Sequence, residues 1–268
     1  EIVGSASVKD KVTTLCNSIE QQLDLTHIEY RAQGNAEAAF ALLREKTEQA
    51  GIFVLLAGNL GSHHSAIPVG AFRGFAIADP IAPFIVINDN DAKAAWSFTL
   101  VHELAHLWLG ATGVSGGGYQ EQRIERFCND VAAEFLLPYA DVEVIDVAEL
   151  AQDAQIALIT DHASRWRVSR QMVAYRLYKA NRITLGAWKS LDAAICELWQ
   201  TERRRAKELA RSKDSGPNYY VIRRHRLGHA MLDFAHRAMD AGTLSPVKAA
   251  RVLGVKPRSV YPMLAVAT

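Results

Sequence analysis

Cysteine is scarce in this chain. The 268 residues include three cysteines, Cys16, Cys128 and Cys196, which are widely separated and form no C-x-x-C pair. An odd number of distant cysteines argues against a disulfide framework and against a thiolate zinc site. The first residues also lack the charged start and long apolar core of a signal peptide. We therefore expect a reducing, cytoplasmic environment.

Long apolar runs and an excess of charge are missing as well. No apolar stretch approaches the roughly 20 residues that a membrane-spanning helix needs, so we expect no membrane partner. The 30 basic and 29 acidic residues give a net charge of +1, which provides no global electrostatic case for binding nucleic acid. A hydrophobic content of 49% is ordinary for a globular protein and is enough for a sizeable core.

The strongest motif present is an H-E-x-x-H formed by His102, Glu103 and His106. Residues four apart lie about one turn apart on the same face of an α-helix, so both imidazoles can reach one metal ion. Glu103 lies one step round the helix and can reach a metal-bound water. The motif predicts a metal-dependent hydrolase in which a carboxylate takes a proton from water.

The surroundings of the motif strengthen this interpretation. Nearly every other position in residues 96–109 is apolar, which is the pattern of a buried helix. Two histidines and a glutamate are costly to bury without partners, and a metal ion removes that cost. The alternative is an amphipathic helix in which the two histidines occur by chance. The segment 88–91 offers caps for the start of this helix, and Gly110 offers a stop.

A metal site on this motif needs a third ligand, which often is a carboxylate from a following helix. The helix predicted at residues 120–137 carries four acids. At about 100° per residue, Glu121 and Glu125 fall at the flank of its apolar face. Asp130 and Glu134 point away on the other side. Helical geometry therefore leaves Glu121 and Glu125 open as candidates.

A structural metal site is the alternative to a catalytic one. Structural sites are closed by protein ligands, whereas catalytic sites keep a water. Cys128, one turn from Glu125, is the nearby thiol that could close the site. Its place in the apolar stripe of the predicted helix indicates a core residue instead.

The H-E-x-x-H and the segment 124–138 together resemble the ImmA/IrrE family of bacterial and phage metallopeptidases. Members carry H-E-x-x-H followed by a segment like E-x-x-A-N-x-F-A-A-x-L-L-M-P. The residues of this chain that match the second pattern are Glu125, Asn129, Ala132, Ala133, Leu136 and Pro138. Three other positions carry mild apolar exchanges: Cys128 replaces Ala, Val131 replaces Phe and Leu137 replaces Met. The resemblance covers approximately residues 35–140.

The resemblance implies a zincin-like peptidase of the α+β class, with a small sheet of about three strands that includes antiparallel pairing. The resemblance also implies a gluzincin-like site in which His102, His106 and Glu125 bind zinc. Glu103 is then the general base. The same three ligands would also accept manganese or iron. The implied substrate is a helix-turn-helix repressor of the XRE type, which is cut once to release its genes in stress responses or mobile elements.

Three strands are predicted before the motif, at residues 52–57, 69–78 and 84–88. We expect the last of them to form a sheet edge and to align an extended peptide substrate. The candidates for stabilising the oxyanion are Tyr119, His63, His64 and Arg73.

The predicted domains are a peptidase core at residues 1–140, a helical region at 141–211 and a C-terminal helical module at 212–268. Residues 212–217 have the composition of a linker. The helices predicted after the core are residues 142–158, 159–166, 169–179, 185–209 and 218–241.

Two segments, residues 159–179 and 244–261, resemble helix-turn-helix motifs. In the first, Ser169 is the predicted N-cap, and five basic residues make the segment locally basic: Arg165, Arg167, Arg170, Arg176 and Lys179. In the second, Ser245 caps, Gly254 turns and Ser259 is expected to start the next helix. The second functional hypothesis is therefore a DNA-binding regulator or antitoxin-like component in which the helical half is the active part.

Three histidines of the C-terminal module have a spacing similar to that of metal ligands. They are His225, His229 and His236. No carboxylate or cysteine completes a ligand set nearby, so we expect solvent-facing or packed histidines.

Overall fold

The structure is a computed structural model and describes residues 2–59, 65–112, 119–147, 149–211 and 218–265. These ranges form helices and strands that confirm the predicted α+β class. The bounds are α1 Val12–Leu23, α2 His27–Arg31, α3 Ala36–Gln49, β1 Phe53–Leu56, β2 Gly74–Ile77, β3 Phe84–Ile87, α4 Lys93–Trp108, α5 Tyr119–Leu136, α6 Tyr139–Glu143, α7 Gln152–Trp166, α8 Arg170–Lys179, α9 Leu185–Arg211, α10 Tyr219–Asp240, α11 Pro246–Leu253, a 3-10 turn Pro257–Ser259 and α12 Val260–Leu264.

The three predicted strands form one mixed sheet in the order β1-β3-β2. β3 runs parallel to β1 and antiparallel to β2. The expectation that residues 84–88 form a sheet edge is therefore wrong, because β3 pairs on both sides. The edge nearest to the H-E-x-x-H helix is β2, since β2 packs directly on α4.

The H-E-x-x-H motif lies on α4, which is buried along most of its length. The carbonyl oxygens of Leu107 and Trp108 accept hydrogen bonds from the N–H groups of Gly4 and Ala6, at 3.1 and 2.9 Å. These contacts satisfy carbonyls that a helix end leaves without partners. Gly110 follows with φ +65°, which confirms the predicted stop.

The start of α4 differs from the expectation. Its N-cap is Ala92, which makes no side-chain capping bond. The amide group of Asn88 donates instead to the carbonyls of Ile67 and Phe72, at 3.2 and 3.0 Å. Asn88 therefore stabilises the connection between β1 and β2. Local sequence does not reveal this role, because the acceptor carbonyls lie 16 and 21 residues away along the chain.

The helix α5 packs against both α4 and α1. Its apolar stripe is buried as predicted, and Cys128 is fully buried within it. Burial raises the pKa of the Cys128 thiol, and the charge of Glu125 adds to this effect. Cys128 is thus a neutral core residue.

The prediction of one helix over residues 142–158 is wrong in its first part, whereas residues 152–158 are helical and belong to α7. The chain forms the short α6, then a non-helical segment, and α7 begins only at Gln152. Ile145 and Val147 in this segment are buried. Burial of these two apolar side chains outside a helix produces a sequence pattern that resembles a helical period.

The first helix-turn-helix segment forms as predicted. α7 ends at Trp166, and Arg167 takes the left-handed conformation with φ +59°. The Ser169 hydroxyl then accepts a hydrogen bond from the N–H of Met172 at 3.1 Å and caps α8.

The C-terminal helices cover the outer face of the sheet. α10 packs across β1, and Phe53 stacks on Phe84 with ring centroids 4.6 Å apart. Phe234 of α10 meets Phe53 edge-on at 6.0 Å. A second apolar cluster, distinct from the main core, lies between α10, α11 and α12. The domain boundaries at residues 140 and 211 stay predictions, and the linker residues 212–217 lie outside the described ranges.

The helix predicted at residues 218–241 contains a break that its sequence pattern does not reveal. Gly228 has φ +78° and ψ 168°, so the hydrogen-bond ladder of α10 is interrupted there. Glu48 of α3 accepts hydrogen bonds from the N–H groups of His229 and Ala230, at 2.9 and 3.2 Å. Glu48 therefore caps the second half of α10.

Arg44, one turn before Glu48, satisfies the other side of the break. It donates to the carbonyl of His225 at 2.5 Å and also to the carbonyl of Val54 in β1. The Arg44 and Glu48 side chains are 3.1 Å apart and almost fully buried. One ion pair thus joins α3, β1 and both halves of α10. Within the described ranges, every helix is too short or too polar to cross a lipid bilayer.

We expect Glu48→Ala to lower the free energy of unfolding by about 3 kcal/mol, because it leaves the Arg44 guanidinium buried without its charge partner. Urea denaturation measures this loss. The matched control is Glu45→Ala, which removes an exposed acid from the same helix and should change stability by less than about 0.5 kcal/mol. Equal stability of the two variants would contradict the assigned role of Glu48.

Candidate metal centre

Three side chains from two helices converge beside the sheet. His102 and His106 lie one turn apart on α4, and Glu125 faces them from α5. The two Nε2 atoms are 3.1 Å apart. Each lies 3.3 Å from a different carboxylate oxygen of Glu125. Among the described residues, these three are the one group of His, Cys, Asp and Glu side chains close enough to hold a metal ion.

The spacing of these atoms fits a divalent cation. Nitrogen and oxygen ligands about 2.0–2.1 Å from a tetrahedral zinc lie about 3.3–3.4 Å from one another. The observed separations of 3.1–3.3 Å are close to this value. A cation placed between the two imidazole nitrogens and the Glu125 carboxylate would be within reach of all three side chains. The donor set therefore suits a metal ion.

The second ring nitrogens of the two histidines face the protein interior. The Nδ1 atoms of His102 and His106 are buried, and no described residue forms a hydrogen bond with them. In many metal sites a carboxylate or carbonyl orients this second nitrogen. The ring of Phe98 lies near-parallel to that of His102, with centroids 6.4 Å apart.

The two glutamates of the site differ in the pKa of their carboxyl groups. Glu103 is 5% exposed, and burial raises its pKa to about 8, with a further contribution from the charge of Glu125. Hydrogen bonds from His102 and His106 hold the pKa of Glu125 far below its usual range. Glu125 is therefore a stable anion, suited to bind a cation, whereas Glu103 readily accepts a proton.

Glycine at position 74 makes room for Glu103. A Cβ atom built on Gly74 would lie 2.5 Å from Cγ2 of Thr99 and 3.0 Å from Oε1 of Glu103. Sequence reasoning placed Gly74 in a strand but missed this role. A glycine inside a strand often marks a close approach of the backbone to another group, so a signal was present.

A cleft of about 420 Å³ opens over the three ligands. Aromatic side chains and β2 form one wall, and α4 and α5 form the other. Besides the ligands, the residues that line the cleft include Phe72, Arg73, Gly74, Phe75, Phe98 and Asn129. Asn129 lies one turn after Glu125 on α5, which a helical count could have identified.

The structure shows the position of one of the four residues predicted to stabilise the oxyanion. Arg73 lines the cleft, and its side chain is 64% exposed with Asp91 3.9 Å away. Tyr119, His63 and His64 were the other candidates for the oxyanion. The two histidines and the Tyr119 side chain lie outside the described residues, as does the side chain of Glu121.

The other acids on α5 point away from the metal site, as predicted. Glu134 pairs with Arg176 at 2.6 Å, and Asp130 lies 3.8 Å from Lys179. Cys128 does not belong to the described metal-binding group, so it does not close the site. The histidines predicted to lack a metal role, His225, His229 and His236, are exposed.

A second cavity of about 650 Å³ adjoins the cleft. It lies between the start of α4, the turn from α7 to α8, and α9. Arg73 lines both cavities.

We expect Glu125→Ala to weaken metal binding by more than about 100-fold, since it removes a direct ligand and loss of an outer-shell group alone costs about 10–100-fold. Glu103→Gln should retain one ion per chain. Elemental analysis after gel filtration measures the bound metal. Asp130→Ala is the matched control, because it removes an acid from α5 that points away from the site. Full metal content in Glu125→Ala would refute the assignment.

Residues 47–178 match the family described as the IrrE N-terminal-like domain, a group of M78 peptidases. The matched range includes all three strands and both helices that carry the metal ligands. No curated protein and no solved structure matches the chain. An independent comparison thus confirms the resemblance noted in the sequence: residues 47–178 match the ImmA/IrrE family of metallopeptidases.

Proposed function

We propose that the protein is a zinc-dependent endopeptidase that cleaves a protein substrate with Glu103 as general base. The observation that carries this proposal is the convergence of His102, His106 and Glu125 at ligand distances, with Glu103 adjacent on α4. Two imidazoles and one carboxylate are a common ligand set of catalytic zinc, which leaves a position for water. The metal and the reaction are proposals from this geometry and from the family.

When bound, the divalent cation supplies Lewis acidity to water and to the scissile carbonyl. Glu103 contributes the proton transfers. Its carboxylate takes a proton from the attacking water and delivers it to the leaving nitrogen as the C–N bond breaks. Its raised pKa, of about 8, suits a group that must accept a proton and then release it near neutral pH. Burial against Gly74 and Thr99 keeps this carboxylate in one position.

The free edge of β2 is suited to align an extended peptide over the site. The N–H of Asn88 in the β3 segment donates to the Arg73 carbonyl, so residues alternating with Arg73 turn their backbone groups away from β3. These residues are Gly74 and Ala76, which lie opposite Ile87 and Ile85 in the register of β2 with β3. A substrate strand pairing there would lie directly over Glu103. This assigns to β2 the role that the sequence pattern had suggested for residues 84–88.

The second cavity extends the same path. Ala94, which lines it, precedes His102 by eight residues, or about 12 Å along α4. An extended chain covers about 3.3 Å per residue, so the side chain three or four residues from the scissile bond reaches this cavity. Arg73, at the junction, is placed to contact the substrate on either side.

The proposed substrate is an XRE-type helix-turn-helix repressor, as the family resemblance implies. A cleft that pairs backbone to backbone requires an extended segment. The cut would therefore fall in a linker or a locally unfolded part of the repressor.

We expect Glu103→Gln to abolish cleavage of a co-expressed XRE-type repressor while leaving the metal bound, because glutamine cannot accept the proton of water. Co-expression followed by mass spectrometry of the repressor measures the cut. The wild-type chain should give two fragments, and the variant should give the intact protein. Fragments of the same masses from Glu103→Gln would disprove the assigned base.

We expect Gly74→Ala to lower turnover by about 100-fold, because its methyl group displaces Glu103 and small errors of position are costly in catalysis. Metal content should stay at the wild-type value. The matched control is Gly70→Ala in the connection before β2, where an added Cβ meets no atom within 4 Å. Equal rates for the two variants would show that the Gly74 contact does not position the base.

A further inference from the structure

The C-terminal module, residues 218–265, differs from the rest of the chain in its charge. It contains eight Lys and Arg residues and two Asp residues, a formal net charge of +6, whereas the whole chain carries +1. A charge asymmetry of this kind indicates a nucleic acid or a similar polyanion as partner. The family match at residues 47–178 does not extend to this module.

The module has the backbone of a helix-turn-helix unit. α11 begins at the Ser245 cap, whose hydroxyl accepts from the N–H of Lys248 at 3.4 Å, and ends before Gly254 in the left-handed conformation, φ +61°. Residues 254–256 form the turn. The 3-10 turn and α12 then give one continuous helical segment over residues 257–264. Three-residue turns with glycine are typical of this motif.

Two arginines of α10 form hydrogen bonds with the ends of both helices of this unit. Arg223 donates to the carbonyl of Leu253 at the end of α11, at 2.7 and 2.9 Å. Arg224 donates to the carbonyl of Met263 at 2.9 Å and to that of Ala265 at 2.7 Å, at the end of α12. The orientation of both helices is therefore rigid before any ligand binds.

The outer face of the second helical segment is exposed and carries groups that can read DNA. Val260 and Met263 face the small apolar core. Arg258 and Tyr261, three residues apart on the opposite face, are exposed, and Tyr261 is 65% exposed. Arginine is the residue that most often contacts guanine in the major groove. Lys256, also exposed, lies at the start of this segment.

The basic residues of the two helix-turn-helix segments differ in their partners. In residues 159–179 every basic side chain of the predicted set is engaged: Arg165 with Asp161, Arg167 with the carbonyls of Gln33 and Ser164, Arg170 with Glu202, Arg176 with Glu134 and Lys179 with Asp130. α8 itself is mostly buried. In the C-terminal unit, no ion pair within the described residues involves the exposed cations Lys248, Arg251, Lys256 and Arg258.

We propose that residues 218–265 form a double-stranded DNA-binding module, with the helical segment 257–264 in the major groove. Arg258 and Tyr261 contact base edges. Lys248, Arg251 and Lys256 contact phosphates. The predicted DNA function of the helical half is thereby assigned to α11 and α12, since the basic residues around α8 are engaged within the protein.

Fluorescence anisotropy of the full-length chain with a labelled duplex of random sequence tests this proposal. At about 50 mM salt the wild-type chain should bind, and log affinity should fall against log salt with a slope of about −3 for three phosphate contacts. Lys256→Glu with Arg258→Glu should weaken binding by about tenfold or more. The matched control is Arg204→Glu with Arg205→Glu, the same charge change at exposed positions of α9.

Selection from a random duplex library tests the base contacts. The wild-type chain should enrich a motif, and Arg258→Ala should lose the preference at one position of it. The melting temperature of each variant verifies that it is folded. Glu103→Gln should bind DNA like the wild type, which separates this module from the peptidase site.

Three outcomes would overturn the proposal. One is the absence of binding to any duplex at about 50 mM salt. Another is an equal loss in the α9 control, which would attribute binding to overall charge. The third is competition by an RNA hairpin or by anionic lipid vesicles as effective as that by duplex DNA.

Discussion

The polar groups buried on α4 determine much of the surrounding structure. His106 and Glu103 are 3% and 5% exposed inside an otherwise apolar helix, and such groups are stable only with partners. Glu125 supplies a partner for His106 from α5, and the ligand geometry suits a cation as another. α5 must therefore pack closely along α4, and β2 must present a glycine where Glu103 lies. The sheet, both helices and the cleft follow from this requirement.

A second buried polar pair fixes the C-terminal half to this core. Arg44 and Glu48 satisfy the backbone groups that the break at Gly228 leaves without helical partners. The break bends α10, so its two halves contact different parts of the protein. The first half reaches Asp89 beside the sheet through Arg226, at 2.7 Å, and holds the ends of α11 and α12. A peptidase core and a basic module are thus joined by a rigid contact.

The two proposals place different chemistry on opposite sides of the sheet. The metal ligands lie on the side of α4, under the free edge of β2. The basic module lies against the outer face of β1. A peptidase that acts on a DNA-bound repressor would gain from binding the same duplex, because tethering raises the local concentration of the substrate.

The sequence by itself determined the features that depend on neighbouring residues. The H-E-x-x-H helix, the buried stripe of α5, the Ser169 cap and the Gly254 turn all follow from local chemistry and spacing. Only the tertiary structure decided the features that depend on distant partners. These are the central position of β3, the contacts of Arg44 and Glu48 at Gly228, the contact of Gly74 with Glu103, and the set of basic residues that have partners within the protein. A one-dimensional pattern records the period of a helix or strand, but it does not record which distant group meets a given side chain. Glu125 combines both, since helical geometry reduced four acids to two and the fold then brought Glu125 within 3.3 Å of both imidazoles.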